Sequence, residues 1–363
     1  MKALVLNKMY YPDIGGVETV VKQYSEFITS NSKMKVTVLT ASANQRLKIT
    51  KEIIDNIEVI RCPSFGMYFS MPISFSIIYM YLKILKYYDI VHIHEPYPIG
   101  SLLLLLTRKK KKIITYHCDI VKQSGILKLI VNNIQRKNLS KATRITTTSS
   151  QLLSNSKILK PFENKTTIIP LSTKEKYLNT TFNSDYFLVI GRLSYYKGLD
   201  VLISSINDGL KIKRKILVVG KGETEIESSL SNFDAKNKIE FLNRFVSEKE
   251  KNILIKNCYA LIFPSTYNSE AFGIIQIEAM RYGKPIINTS LNTAVPWVSI
   301  HGITGLTVKP GSSLELKQAI TRLDEFTEEE YNRYSENSYK RFQTNFNDSI
   351  AQRKLLKLYQ ELS

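Results

Sequence analysis

Two glutamates, Glu270 and Glu278, stand in the run 263–285, FPSTYNSEAFGIIQIEAMRYGKP. A carboxylate can accept hydrogen bonds from two adjacent hydroxyls, as a ribose or a hexose presents them. The run leaves a strand end, turns through small polar residues and enters a helix near Ala271. Gly273 permits close backbone approach in the first helical turn. The N–H groups of Phe272, Gly273, Ile274 and Ile275 then lack helical partners and suit a diphosphate. Glu278 falls two turns inside this helix. Taken singly, Glu270 reads as a helix cap and Glu278 as part of a solvated face. Their company favours a ligand site: the Pro264-Ser265 turn, Phe272-Gly273 and Gly283-Lys284-Pro285.

Three further segments carry chemistry. In 190–198, IGRLSYYKG, Arg192 and Lys197 follow a strand and precede a helix start at Gly198. Two fixed cations can neutralise a leaving nucleoside diphosphate; the bland alternative is a loop with incidental charges. No Asp-x-Asp pair at a strand end offers a Mg²⁺ site. Gly15-Gly16, after the first strand, can approach a ligand and bind an anion through its amides, or can be a plain turn. His117, in 114–119 (ITYHCD), can hydrogen-bond a sugar or the departing phosphate, or can be structural. His92 and His94 alternate on one strand and so share a face. With His117 and Cys118 they raise the question of a metal, but no ligand spacing supports one and none is assigned.

The elements around these residues alternate. Residues 2–7, 36–40, 58–61, 90–93, 112–116 and 144–147 read as strands, and 17–30, 73–88, 123–139 and 149–155 as helices. A second series of strands follows at 186–190, 215–219, 238–241, 259–263 and 284–288, with helices between. The polar stretch 172–184 reads as the linker. This pattern predicts two doubly wound α/β domains, 1–175 and 182–346, with ligands between the carboxyl ends of their sheets. A length of 363 residues fits two cores. Cys62, Cys118 and Cys258 form no metal or CxxC spacing, which favours a reducing compartment. No apolar run is long enough to span a bilayer, and the N-terminus reads as a strand rather than a signal peptide. The net charge of +19 is lopsided: residues 1–185 hold 27 Lys+Arg against 12 Asp+Glu. Such a surface implies an anionic partner, which by charge alone is membrane, nucleic acid or acidic glycan. The aromatic stretch 65–88 and the basic run 109–112, expected to be exposed, fit an anionic membrane. The alternative is that helix 73–88 simply buries its apolar face on the sheet.

The motifs resemble glycosyltransferase family 4, retaining enzymes of the GT-B fold. The pattern Glu270-Ala-Phe-Gly, then Glu278-Ala-Met, then Gly-Lys-Pro carries the resemblance, with Gly191-Arg192-Leu193 and Lys197-Gly198 beside it, and it covers essentially the whole chain. It implies two Rossmann-like domains with parallel sheets facing across a cleft, and a C-terminal helix (about 347–363) crossing back to the N-terminal domain. It implies that Glu278 holds the nucleotide ribose and Glu270 the donor sugar. The amides of Phe272 to Ile275 would take sugar hydroxyls or diphosphate. Arg192 and Lys197 would replace a metal, Gly15 and Gly16 would face donor phosphate and acceptor, and His117 would contact the hexose. Asp119, His94 and Glu95 would meet the acceptor. Retention would come from front-face attack through an oxocarbenium-like state rather than a carboxylate nucleophile.

The runs 292–299 and 116–121 look most like mannosyl- and rhamnosyltransferases. They lean toward GDP-mannose, or another GDP- or UDP-sugar, as donor, with no cofactor. The expected partners are an undecaprenyl-diphosphate-linked glycan and the anionic membrane under the N-terminal domain, in O-antigen or capsule synthesis. The expected location is cytoplasmic, at the inner face of the plasma membrane. Two rival classes are another GT-B enzyme, such as a phosphorylase or sugar-nucleotide epimerase, and a non-catalytic basic module binding membrane or nucleic acid. No zinc finger, helix-turn-helix or RNA-binding aromatic motif supports nucleic acid as a partner.

Overall fold

The computed structural model describes residues 1–13, 15–42, 48–68, 71–120, 125–231 and 239–362. The expectations at Ile14, Val121, the helix start at Gln123 and the strand start at Lys238 lie outside the described residues. The chain divides into two units, Met1–Leu171 with Ala351–Ser363, and Ser172–Ile350.

In the first unit, β1 (Lys2–Leu6), β2 (Lys35–Ala41), β3 (Thr50–Ile54), β4 (Ile57–Cys62), β7 (Ile90–Glu95), β8 (Lys111–Tyr116), β9 (Arg144–Thr147) and β10 (Thr166–Ile168) form one sheet. Their order is β10-β9-β8-β7-β1-β2-β4-β3, and only the edge pair β3–β4 is antiparallel. A hairpin of β5 (Met67–Tyr68) and β6 (Met71–Pro72) is a sheet of its own. The central strands are near-continuous apolar runs because both faces are covered. Leu4, Leu6, Val91, Ile93 and Ile114 are buried in one core. The covering helices are α1 (Gly16–Asn31), α2 (Ser76–Ile84), α3 (Pro98–Leu106), α4 (Gly125–Lys141) and α5 (Ser150–Asn155). Helix α2 is shorter than the expected 73–88 and ends in a 3₁₀ turn at Leu85–Tyr87. Helix α3 was not expected: its leucine run has no period that separates helix from strand, and Pro98 in its first turn is its one start signal.

In the second unit, β11 (Tyr186–Ile190), β12 (Lys215–Val219), β13 (Ile239–Leu242), β14 (Leu261–Ile262), β15 (Ile286–Thr289) and β16 (Gly305–Val308) are all parallel, in the order β13-β12-β11-β14-β15-β16. This is the doubly wound dinucleotide-fold order, and it reverses between β11 and β14, where such sheets bind ligands at the strands' carboxyl ends. Helices α6 (Leu199–Asn207), α7 (Thr224–Ser231), α8 (Glu248–Asn257), α9 (Ile274–Met280), α10 (Val295–Val298), α11 (Ser313–Asp324) and α12 (Glu328–Asn345) complete it. The last helix, α13 (Asp348–Gln360), belongs to the first unit from Ala351 onward.

The stretch 172–184, read as a linker, is fastened to the second unit. Arg281 Nη1 donates to Thr173 Oγ1 at 3.0 Å, and Lys284 Nζ donates to Asn179 O at 2.7 Å and Thr181 Oγ1 at 2.6 Å. Burial pushes the Lys284 ammonium down to about 8. The basic run 109–112 also departs from expectation. Strand β8 begins at Lys111, so alternate side chains turn inward: Lys111 is exposed, whereas Lys112 is buried and donates to Leu104 O at 3.1 Å.

Candidate active site

At the switch point of the second unit, Gly191, Arg192, Leu193, Lys197, Phe263 and Pro264 line a concavity. The turn after β11 is tight. Gly198 has φ 69°, and a Cβ there would strike the carbonyl oxygen of Pro264, so only glycine lets the two strand-end loops touch. Thr266 N donates to Tyr196 O at 2.9 Å across the same contact. Lys197 is thereby held over the rings of Phe263 and Tyr196, 5.0 and 5.3 Å from their centroids, and its Nζ lies 2.5 Å from Glu270 Oε2. Arg192 is exposed and makes no ion pair or hydrogen bond with the described residues. A paired and an unpaired cation thus share one strand end, which suits an anion carrying more than one charge.

Helix α9 starts at Ile274 rather than near Ala271. Gly273 takes φ 75° and ψ 71°, and a Cβ there would lie 2.7 Å from the Phe263 ring, so the chain stays non-helical through Gly273. Glu270 therefore sits in the turn, not on a cap, and Glu278 is about one turn inside the helix rather than two. The Phe272 side chain is buried against Trp297 and Phe346, which leaves its backbone as what it can offer a ligand. Gln276 Nε2 donates to Phe272 O at 3.0 Å, and Asn288 Nδ2 donates to Gln276 Oε1 at 3.0 Å, fixing the start of α9 from beneath. Glu278 pairs with Lys251 of α8 at 2.8 Å. Burial opposes the Lys251 charge, but Glu278 and Glu248 outweigh it and its pKa is raised. Lys251 had no signal in the sequence: it belongs to no motif and meets Glu278 only through helix packing.

In the first unit Gly15 is the N-cap of α1, and a Cβ there would fall on the carboxylate of Glu18, itself buried. Arg61 of β4 is buried and secures the preceding loop: Nη1 donates to Tyr10 O at 3.1 Å, Nη2 to Tyr11 O and Nε to Glu52. It too was missed, since a lone arginine in a strand carries no local signature.

The ends of β7 and β8 bring three histidines together. His92 stacks on His94 with centroids 4.6 Å apart, and His94 lies edge to edge with His117, nearly coplanar, with centroids 5.2 Å apart. His94 Nδ1 lies 2.9 Å from His117 Nε2. Both nitrogens of His92 are engaged, Nδ1 with Tyr359 OH and Nε2 with Thr115 Oγ1, each at 2.7 Å. Burial pushes His92 down to about 3 and, with Lys8 nearby, His117 down to about 4; His94 lies well below its ordinary value for the same reason. Among the described residues no group of three or more His, Cys, Asp or Glu is arranged to hold a metal.

His94 and Glu95, expected at the acceptor, are buried. Glu95 accepts from Ser101 Oγ, from Tyr97 N at 2.7 Å and from Gln135 Nε2 at 3.2 Å, which ties β7 to α3 and α4. Burial raises its pKa against those bonds. Asp119 is half-buried and accepts from Tyr116 OH at 2.7 Å and Ser156 Oγ at 2.6 Å.

Comparison with known proteins matches both units. Residues 14–171 match the family described as Glycosyltransferase Family 4, and 174–341 the family described as Glycosyl transferases group 1. The chain is 28% identical to O-antigen chain mannosyltransferase C of Escherichia coli, over 95% of this chain and 94% of that one. It is 29% identical to D-rhamnosyltransferase WbpZ of Pseudomonas aeruginosa, over 95% and 92%. Its fold is similar to sucrose-phosphate synthase from Thermosynechococcus elongatus, with a TM-score of 0.80 and 18% identity over 99% of this chain and 98% of that one. Anabaena Alr3699/HepE, solved with UDP and glucose, gives 0.76 and 16% over 99% and 100%.

Proposed function

The chain belongs to glycosyltransferase family 4 and has the GT-B fold, and from that premise we propose that it moves a mannosyl-type hexose from a nucleoside-diphosphate sugar to a lipid-linked oligosaccharide. The class is retaining and uses nucleotide sugars without a metal, so this chain's own cations must carry the leaving group. The observation that supports this most is the strand end of β11, where Arg192 stands unpaired beside the Lys197–Glu270 pair. When donor binds, Lys197 and Arg192 neutralise the diphosphate as the glycosidic bond breaks. Glu270 then holds the sugar hydroxyls, the backbone at Phe272, Gly273, Ile274 and Ile275 holds hydroxyls or diphosphate, and Glu278 holds the ribose. His117 contacts the hexose, and Gly15 and Gly16 lie toward donor phosphate. Asp119 is the acceptor-side residue, and Glu95 ties β7 to α3 and α4 in the core.

The donor of choice is GDP-mannose, with other GDP- and UDP-sugars next. The acceptor is an undecaprenyl-diphosphate-linked glycan of O-antigen or capsule, worked on at the cytoplasmic face of the membrane. In support, two relatives are named O-antigen chain mannosyltransferase C and D-rhamnosyltransferase WbpZ. Unit 1 also exposes Phe65, Phe75, Tyr79, Leu82 and Tyr87, with Lys83 and Lys86 over the rings of Tyr79 and Tyr87. No helix among the described residues is long and apolar enough to cross a membrane. A thermal-shift panel of GDP-mannose, UDP-glucose, UDP-galactose and their N-acetyl forms tests the donor, because a ligand of the native state raises its stability. GDP-mannose is expected to give the largest rise. A rise with a UDP-sugar alone overturns the base, and no rise with any of them overturns the reading.

A further inference from the structure

His94 makes one polar contact and lacks another. Its Nδ1 meets His117 Nε2 at 2.9 Å, while its Nε2 is buried with no hydrogen-bond partner among the described residues. Its ring stacks on His92 and meets His117 edge to edge through that bond, and His92 is itself pinned at both nitrogens, by Tyr359 from α13 and Thr115 from β8. The orientation of His94 is thus set by the stack on His92 at its face and the bond to His117 at its edge.

A neutral imidazole has one N–H and one lone pair. Burial keeps both His94 and His117 neutral, so one proton lies between them. If His117 Nε2 supplied it, the proton of His94 would have to sit on Nε2, as a buried donor without an acceptor. Orphaned buried N–H groups are the rarer and costlier kind. If His94 Nδ1 supplies it, only a lone pair is orphaned, and His117 must carry its own proton on Nδ1.

We propose that His94 is a positioning residue that fixes the tautomer of His117, so that His117 presents an Nδ1–H donor to the transferred sugar. This rests on the reading of His117 as a hexose contact. It moves His94 from the acceptor side to the support of the donor side. It also gives α13 a part, since Tyr359 holds the far end of the stack.

The chain has four histidines, which makes selective ¹⁵N labelling readable. Long-range ¹H–¹⁵N spectra of the free enzyme, with His117 assigned through the signals lost in His117→Gln, report which nitrogen bears the proton. His117 is expected to be protonated on Nδ1; protonation on Nε2 overturns the proposal. In His94→Asn an amide N–H replaces Nδ1–H, so the tautomer is expected to stay and transfer to remain within about twofold of wild type. In His94→Leu the tautomer is expected to be lost and kcat to fall about tenfold, with nucleoside-diphosphate affinity unchanged. Equal tautomer and kcat in the Leu variant and wild type also overturn it. The spectra are taken without donor, so they answer even where the sugar-transfer reading fails, and a donor panel without response leaves the tautomer result standing.

Discussion

At Glu278 the carboxylate does not stand alone. Lys251 occupies Oε1 at 2.8 Å, orienting the group so that its other oxygen can turn to a ligand. Lys251→Met removes that anchor and leaves a mostly buried carboxylate uncompensated. Donor KM is expected to rise about tenfold with kcat changed far less, read from initial rates at varied donor. An unchanged KM would separate Lys251 from the nucleotide site. The difference between Glu278 and Lys251 also shows what the sequence could reveal. Glu270, Glu278, Arg192 and Lys197 sit inside contiguous motifs, so their chemistry and their neighbours are read together. Lys251 and Arg61 act across 27 and about 50 residues of chain, through packing that no local pattern encodes.

At the scale of elements, most central strands were legible because parallel strands buried on both faces are apolar runs bounded by polar turns. Edges were not. Strand β3 alternates half-buried and exposed residues and carries Lys51 and Glu52, so it lacks that signature. The start of α9 was misplaced because helix propensity runs through Ala271 and Phe272, while the Phe263 ring beneath Gly273 decides otherwise.

Strands β7 and β8 carry a further consequence in their buried histidines. The unfolded chain protonates near the ordinary histidine value of 6.5, whereas His92 and His117 hold out to about 3 and about 4. Between those limits the unfolded state binds more protons, so stability is lost as pH falls below 6.5 and continues to fall toward 4. Thermal unfolding followed from pH 7 to pH 4.5 is expected to show a steady decline in midpoint. Replacing His92 by Asn should flatten it; a midpoint constant over this range would contradict the buried, neutral stack.

At the scale of the whole molecule, charge is segregated, with the excess of basic residues in the first half of the chain. The exposed Tyr79 of α2 and Tyr87 of the turn after it lie under Lys83 and Lys86. Anionic vesicles are expected to co-sediment the protein and neutral ones to leave it in solution, with binding reduced by salt. Phe75→Glu with Tyr79→Glu should abolish sedimentation while leaving nucleotide binding intact. Equal binding to neutral vesicles would show that charge does not drive the association.

In the proposed reaction two protein cations, rather than a metal, stabilise the departing diphosphate. Turnover of wild type, Arg192→Ala and Lys197→Ala, each measured in excess EDTA with the donor selected by thermal shift, tests it directly. Full wild-type activity in EDTA and a loss of about a hundredfold or more in each variant are expected. Near-wild-type turnover in both variants, or wild-type activity that disappears until Mg²⁺ is restored, would contradict it.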